Sequence, residues 1–196
     1  MSHYYKADPN LEDHPVELRF DINGKDFTLQ SNSGVFSKDK LDTGTKILLE
    51  TVLKESAPEK SVLDLGCGTG AVGVVMGTFW NSDITGIDTN EKAAGLAEFN
   101  YRKNGVNGKV LVQDGLGNLD EKFDCILLNP PIRTGKETIY RLFSEAMDHL
   151  KESGALWIVI RKQHGAASAV SYLEDQGYQV TRKNRDKGFW VLRITK

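Results

Sequence analysis

From Ser61 onward the sequence settles into a repeating alternation of short apolar runs and longer amphipathic stretches. The runs "SVLDLG", "DITGID", "KVLVQD", "FDCILLN" and "ALWIVI" read as strands, while "GAVGVVMGTFW", "EKAAGLAEFNYRKNG", "KETIYRLFSEAMDHLK" and "GAASAVSYLEDQG" read as helices. Strands alternating with helices require right-handed crossovers, and therefore a mostly parallel sheet covered on both faces. The end of the chain, "YQVTRKNRDKGFWVLRITK", gives two strand-like runs joined by a polar link with a glycine, the pattern of an antiparallel hairpin. The expected fold is α/β, a Rossmann-like doubly wound sheet closed by an antiparallel C-terminal hairpin.

Ahead of this core, "VELRFDINGKDFTLQS" alternates Val16, Leu18, Phe20 and Ile22 before Asn23-Gly24, then continues with Phe27 and Leu29. Asn-Gly suits the positive-φ positions of a type I′ turn, so an N-terminal β-hairpin is expected. A loop over residues 34–43 and a helix follow, the helix marked by Ile47, Leu48, Val52 and Leu53. A length of 196 residues suffices for one sizeable core.

Composition narrows the function classes. No window is apolar enough for a membrane span, and the start "MSHYYKADPN" lacks the basic-then-apolar layout of a secretion signal, so the expected address is the cytoplasm. Cys67 and Cys125 have no CxxC partner and read as buried free thiols. The histidines His3, His14, His149 and His164 show no ligand spacing, so no metal is expected. Net charge is −2, which gives no overall signal for a polyanion. From residue 161 to the end, however, eight Lys and Arg stand against three acids, which is either a nucleic-acid surface or a solvated one.

The stretch "VLDLGCGTGAVG", residues 62–73, falls where the first core strand meets its helix. Gly66, Gly68 and Gly70 let the backbone approach a ligand closely, and the helix start offers free N–H groups. "GTGAVG" also satisfies the GxGxxG spacing, so a nicotinamide oxidoreductase has to be considered. Asp88 ends the second strand, where a carboxylate can accept from both ribose hydroxyls. Asp114, in "VQDG", ends the third and can meet the amino edge of an adenine or simply make an Asp-Gly turn.

"DLGCGTG" followed by Asp88, Asp114 and "NPPI" resembles the ordered motifs of class I S-adenosylmethionine-dependent methyltransferases. The resemblance implies S-adenosyl-L-methionine as cofactor, with Gly66, Cys67, Gly68 and Gly70 at its centre and Asp88 on the ribose. It places Thr89 beside the adenine, Asp114 and Gly115 at the adenine amine, and Asp64 bracing the loop or meeting the methionine ammonium. A carboxylate near that cationic end is electrostatically sensible.

The same resemblance gives the two prolines a purpose. "NPPI" leaves the C-terminal end of a buried strand, where open α/β sheets bind ligands. Pro130 and Pro131 stiffen the loop and leave carbonyls as acceptors. The Asn129 side-chain oxygen and the Pro130 carbonyl could hold both hydrogens of a planar amine and aim its lone pair at a methyl group. Asn129 also borders the cofactor. Relatives commonly have an aromatic where Ile132 stands; Ile132 can still pack on a flat ring with weaker stacking, and Phe36 is the candidate for the second face of a base.

"SGVFSKDKLDTGTKILLE" at 33–50, with "NPPIRTGK" and "RKQHGA", is similar to the catalytic domain of the bacterial small-subunit ribosomal RNA guanine-N2 methyltransferase family, in its members without an extra N-terminal domain. This implies one methyltransferase domain over residues 1–196, with hairpin, lid loop and helix in 1–60 and the cofactor-binding core in 61–196. The loop 34–45 would fold over the cofactor with Phe36 and Ser37 near the transfer site, and Arg133 and Lys136 would approach RNA phosphates. The expected activity is methylation of an exocyclic amine in RNA, foremost guanine N2 of small-subunit ribosomal RNA. Adenine N6 and a protein glutamine amide remain open as acceptors, since Asn-Pro-Pro suits any planar NH2. A non-catalytic RNA-binding module is the remaining alternative. The expected partners are RNA or a ribosomal subunit.

Overall fold

The computed structural model of the chain describes residues 14–32 and 40–196. Pro15–Ile22 (β1) and Lys25–Asn32 (β2) form the expected antiparallel hairpin. Asn23 and Gly24 both take positive φ, 50° and 81°, as the type I′ turn demands. Leu18, Ile22, Phe27 and Leu29 are buried, and the cross-strand pair Phe20 and Phe27 stacks at 5.4 Å.

The helix Thr43–Glu55 (α1) starts one step earlier than the loop expected over 34–43. Asp42 is its N-cap, accepting from the Thr45 N–H at 3.0 Å, so residues 43–45 are the first helical turn and not the end of a lid.

The core runs Ser61–Leu65 (β3), Ala71–Trp80 (α2), Asp83–Asp88 (β4), Glu91–Lys103 (α3), Gly108–Val112 (β5), Phe123–Leu128 (β6), Lys136–Asp148 (α4), Leu150–Arg161 (β7), Ala166–Asp175 (α5), Gln179–Asp186 (β8) and Phe189–Thr195 (β9). These strands form one seven-stranded sheet in the order β5-β4-β3-β6-β7-β9-β8. β5 to β7 are parallel, and β9 lies antiparallel between β7 and β8. The α/β fold and its antiparallel C-terminal strands are as expected. β7 is longer than "ALWIVI": it begins at Leu150, and its pairing with β6 is irregular between Phe123 and Cys125. Gly154 lies at that irregularity, where a β-carbon would come 2.9 Å from the carbonyls of Phe123 and Asp124.

Alternate residues of the strands build two apolar layers. Val62, Cys125, Leu127, Trp157, Val159 and Val191 face α1, α2, α3 and the N-terminal hairpin. Leu63, Leu65, Ile126, Leu128, Ile158 and Leu192 face α4 and α5. Strands buried on both sides explain why their sequences read as continuous apolar runs.

This arrangement fixes the position of the candidate site. β3 leads outward through α2 to β4 and β5, whereas β6 returns to pair on the other side of β3. The crevice at such a reversal, at the carboxyl ends of the strands, is where open α/β sheets take ligands. The last register pair of the two strands is Leu65 with Leu128. Gly66 and Asn129 therefore leave the sheet side by side.

Candidate active site

The loop after β3 is held from below by the end of β4. The N–H groups of Gly66 and Cys67 both donate to the Ile87 carbonyl, at 2.8 and 2.9 Å, and the Gly68 N–H donates to the Asp88 carboxylate at 2.8 Å. Gly66, Gly68 and Gly70 have φ of 79°, 52° and 90°, a region that excludes most side chains. At Gly66 and Gly68 a β-carbon would project into open space, so the glycines leave a bare backbone surface toward the crevice. Gly70 differs in being packed against α3: a β-carbon there would lie 2.9 Å from the Tyr101 ring and 3.0 Å from the Ala97 Cα.

Asp88 supports the loop with one oxygen and accepts from the Asn90 N–H with the other, at 2.9 Å. Each carboxylate oxygen retains a further lone pair for a ligand hydroxyl. Asn90 in turn caps α3 through Lys92 and Ala93, which rigidifies the turn around Asp88 and the exposed Thr89.

Asp64 lies on β3 just beneath the loop and is only 4% exposed. Burial, reinforced by the charge of Asp88, pushes its carboxyl up to about 7, with a backbone N–H bond from Gly73 opposing the shift. Its Oδ2 is buried without a hydrogen-bond partner. An orphaned carboxylate oxygen under a bare glycine loop suits the ammonium end of an amino-acid moiety, so these residues fit S-adenosylmethionine. Both cysteines are buried as expected, and burial raises both thiols, that of Cys67 further beside Asp64 and Asp88.

Asp114 has a partner that the sequence did not indicate. Arg141 on α4 donates to its carboxylate at 2.8 Å and to Glu145 at 2.9 Å, while Glu145 also accepts from the Leu116 N–H at 2.7 Å. The turn holding Asp114 and the buried Gly115 is thus tied to α4, with Gly115 at φ 70°.

After β6, Asn129 is exposed and Pro130 is buried. The Asn129 Nδ2 donates to Asp42 Oδ2 at 3.0 Å and to Thr45 Oγ1 at 3.1 Å, so its carboxamide is anchored to the N-terminus of α1. Pro131 carries its own carbonyl into a tight turn, accepting from the Thr134 N–H at 3.0 Å and from the Thr134 hydroxyl at 2.7 Å. Ile132 begins the 3-10 turn Ile132–Thr134 and packs onto the α4 and α5 layer.

A cavity of about 110 Å³ opens beside it, lined by Ile132, Lys136, Ile139, Tyr140, Ile160 and His164 among others. Tyr140 is an aromatic that sequence reasoning missed, since on α4 it read only as one position of an amphipathic helix. Its ring stacks on Tyr172 at 4.0 Å, and the Lys136 ammonium lies 5.6 Å from the ring centre. Arg133 and Lys136 are both exposed at this end of the sheet. Phe36 and Ser37 lie outside the described residues.

A doubly wound sheet with an inserted antiparallel strand, a glycine loop after its central strand and an acid after the next defines the class I methyltransferases that use S-adenosylmethionine. The antiparallel β9 also departs from the all-parallel dinucleotide sheet that the GxGxxG spacing allowed. Residues 26–193 match the methyltransferase small domain family, and the chain belongs to it. It is 38% identical to the uncharacterized protein YbxB of Bacillus subtilis, over 99% of this chain and 98% of that one. It is 39% identical over 140 residues to ribosomal RNA small subunit methyltransferase C of Haemophilus influenzae, which covers 69% of this chain and 42% of the relative.

Among solved structures, the T. thermophilus 16S rRNA N2 methyltransferase in complex with AdoMet and guanosine superposes with a TM-score of 0.81 at 23% identity, over 96% of this chain and 52% of that one. The chain thus spans about half the length of these ribosomal RNA enzymes. Among the described residues no helix is long and apolar enough to cross a membrane, and no cluster of His, Cys, Asp or Glu could hold a metal ion.

Proposed function

We propose that the chain methylates an exocyclic amine of RNA, guanine N2 of small-subunit ribosomal RNA being the acceptor that its relatives and its site favour together. The observation that carries this reading is the Asn129 carboxamide. It stands beside the glycine loop with its NH2 end committed to Asp42 and Thr45, which leaves Oδ1 as the end that faces an incoming group.

An amine conjugated to a base is a weak nucleophile because its lone pair is delocalised into the ring. Asn129 Oδ1 and the Pro130 carbonyl accept its two hydrogens, turn the lone pair toward the transfer site and favour the positive charge that grows on nitrogen. Of the two proline carbonyls, that of Pro131 is already spent on Thr134, which leaves Pro130 for this role. S-adenosylmethionine, when bound, supplies an electrophilic methyl group on a sulfonium. Gly66, Cys67, Gly68 and Gly70 cradle it, Asp88 takes the ribose with Thr89 alongside, Asp64 takes the ammonium, and Asp114 with Gly115 borders the adenine.

Ile132 and Tyr140 line one cavity wall and offer apolar contact to one face of the acceptor base, with Phe36 the candidate for the second face. Ser37 belongs with Phe36 at the transfer site in this reading. Arg133 and Lys136 meet phosphates flanking the base, backed by the basic residues of β8 and β9.

The test is transfer of label from radiolabelled S-adenosylmethionine to deproteinised ribosomal RNA, to small subunits and, separately, to a protein extract, followed by digestion to nucleosides. Label in N2-methylguanosine is expected. Label in N6-methyladenosine or in glutamine would move the acceptor without changing the cofactor. Asn129→Ala is expected to lower turnover by about tenfold or more while cofactor affinity is nearly unchanged. Unchanged turnover would remove Asn129 from the chemistry.

A further inference from the structure

A primary carboxamide has two ends of nearly equal size and opposite chemistry. Rotating Asn129 by half a turn would present NH2 in place of oxygen, and two donors would then face each other across an acceptor amine. Something must therefore choose the orientation. Both groups against the Asn129 Nδ2 are acceptors. Asp42 Oδ2 is part of a carboxylate, and Thr45 Oγ1 is turned into an acceptor because its own hydroxyl donates to Asp42 Oδ2 at 3.3 Å. The flipped carboxamide would lose both bonds and press its oxygen against a carboxylate.

The anchoring pair is itself fixed. Asp42 caps α1 through the Thr45 N–H, and Gly44 between them packs so closely on Phe189 that a β-carbon would lie 2.8 Å from its ring. The Arg161 guanidinium lies over that ring, 4.4 Å from its centre. The first turn of α1 is thus wedged against the start of β9, and the Asp42 ahead of it holds a side chain 87 residues away in sequence.

We infer that Asp42 and Thr45 are positioning residues for methyl transfer, holding the Asn129 carboxamide with its oxygen toward the acceptor amine. The inference rests on the methyl-transfer reading for its consequence but not for its geometry, and two measurements separate them. Asp42→Ser keeps a hydroxyl that can cap α1 while being too short to reach Asn129. Asp42→Asn puts a carboxamide oxygen where Oδ2 stands, which can still accept from the Thr45 N–H and the Asn129 Nδ2, so it should restore what serine loses. Thr45→Val leaves the backbone cap intact and removes the second acceptor together with the hydroxyl bond to Asp42.

In the transfer assay, Asp42→Ser is expected to lower turnover about tenfold or more, with the dissociation constant for S-adenosylmethionine within about twofold of wild type and the melting temperature held. Thr45→Val should lose less, Asp42→Asn should recover most of the rate, and Asp42→Ser combined with Asn129→Ala should be no worse than Asn129→Ala alone. Turnover of Asp42→Ser within twofold of wild type, or fully additive losses in the double variant, would overturn the inference.

A second readout needs no activity. The two side-chain NH2 protons of Asn129 in an isotope-labelled sample should be well separated and slow to exchange in wild type, and should collapse toward the values of a free carboxamide in Asp42→Ser. Unchanged resonances would overturn the inference even if no acceptor were ever methylated. Conversely, a collapse in Asp42→Ser, together with a wild-type protein that labels no RNA, would leave the geometry standing and remove the RNA reading.

Discussion

Two loops leave neighbouring strands at the same end of the sheet and are built in different ways. The loop after β3 is defined by backbone: its amides donate to the Ile87 carbonyl and the Asp88 carboxylate, and its glycines take positive φ. The loop after β6 is defined by side chains, with Asn129 bonded to two residues from the far end of the chain and Pro131 folded onto Thr134. A cofactor that must be held in one way needs a fixed cradle, which a loop of pinned backbone groups supplies without side chains of its own. An acceptor amine needs a chosen pair of oxygens, and that choice has to be made by specific partners.

The sharpest way to break the first loop alone is Gly70→Val. The position has φ 90°, and its β-carbon would meet both Tyr101 and the backbone of Ala97, so strain and overlap act together. A loss of about 3 kcal/mol or more in stability is expected by urea titration, accompanied by loss of cofactor binding. A variant that still bound cofactor at wild-type affinity would show that the close fit of loop and α3 is dispensable.

Asn100 offers a smaller and more selective break. Its side chain is fully buried on α3, accepts from the Gln30 N–H at 2.8 Å, and donates to the carbonyls of Gln30 at 2.9 Å and Thr69 at 2.8 Å. It therefore ties the N-terminal hairpin to the glycine loop. Asn100→Leu should cost about 2 to 3 kcal/mol by leaving buried groups unpaired. It should weaken cofactor binding more than it changes turnover at saturating cofactor. An equal effect on both would mean that the hairpin supports the acceptor side as well.

The same contrast explains how much was legible in advance. Asn23-Gly24 and "DLGCGTG" name their conformations locally, because few other residues tolerate those torsions, and the hairpin and loop were readable for that reason. Continuous apolar strands followed from burial on both faces. The bonds from Asn129 to Asp42 and Thr45, from Arg141 to Asp114 and from Asn100 to Thr69 join segments distant in sequence, and nothing local marks them. Asp42 read only as part of a loop, and Arg141 and Tyr140 read as ordinary positions of a helix. Ile132 shows the limit from the other side: its lack of an aromatic ring was visible, while the Tyr140 that shares its cavity was not.

Asp64 gives the smallest effect and the one that most directly probes the cradle. Its carboxyl is raised to about 7 in the fold, chiefly by burial, and returns to an ordinary value near 3.9 when unfolded. Between those values the folded chain holds one proton more than the unfolded chain. Stability should then fall as pH rises through the window and level off above about 7. From pH 6 to pH 8 the loss should be about 1 kcal/mol, and Asp64→Asn should abolish it. If the orphaned oxygen receives the cofactor's ammonium, that cation favours the carboxylate, and binding below pH 7 must release a proton. Affinity should then decrease by up to about tenfold from pH 7 to pH 6, with a calorimetric heat that depends on the ionisation enthalpy of the buffer. Retention of the stability slope with no proton release would place the ammonium away from Asp64, and would leave this acid as a support of the loop rather than a contact of the ligand.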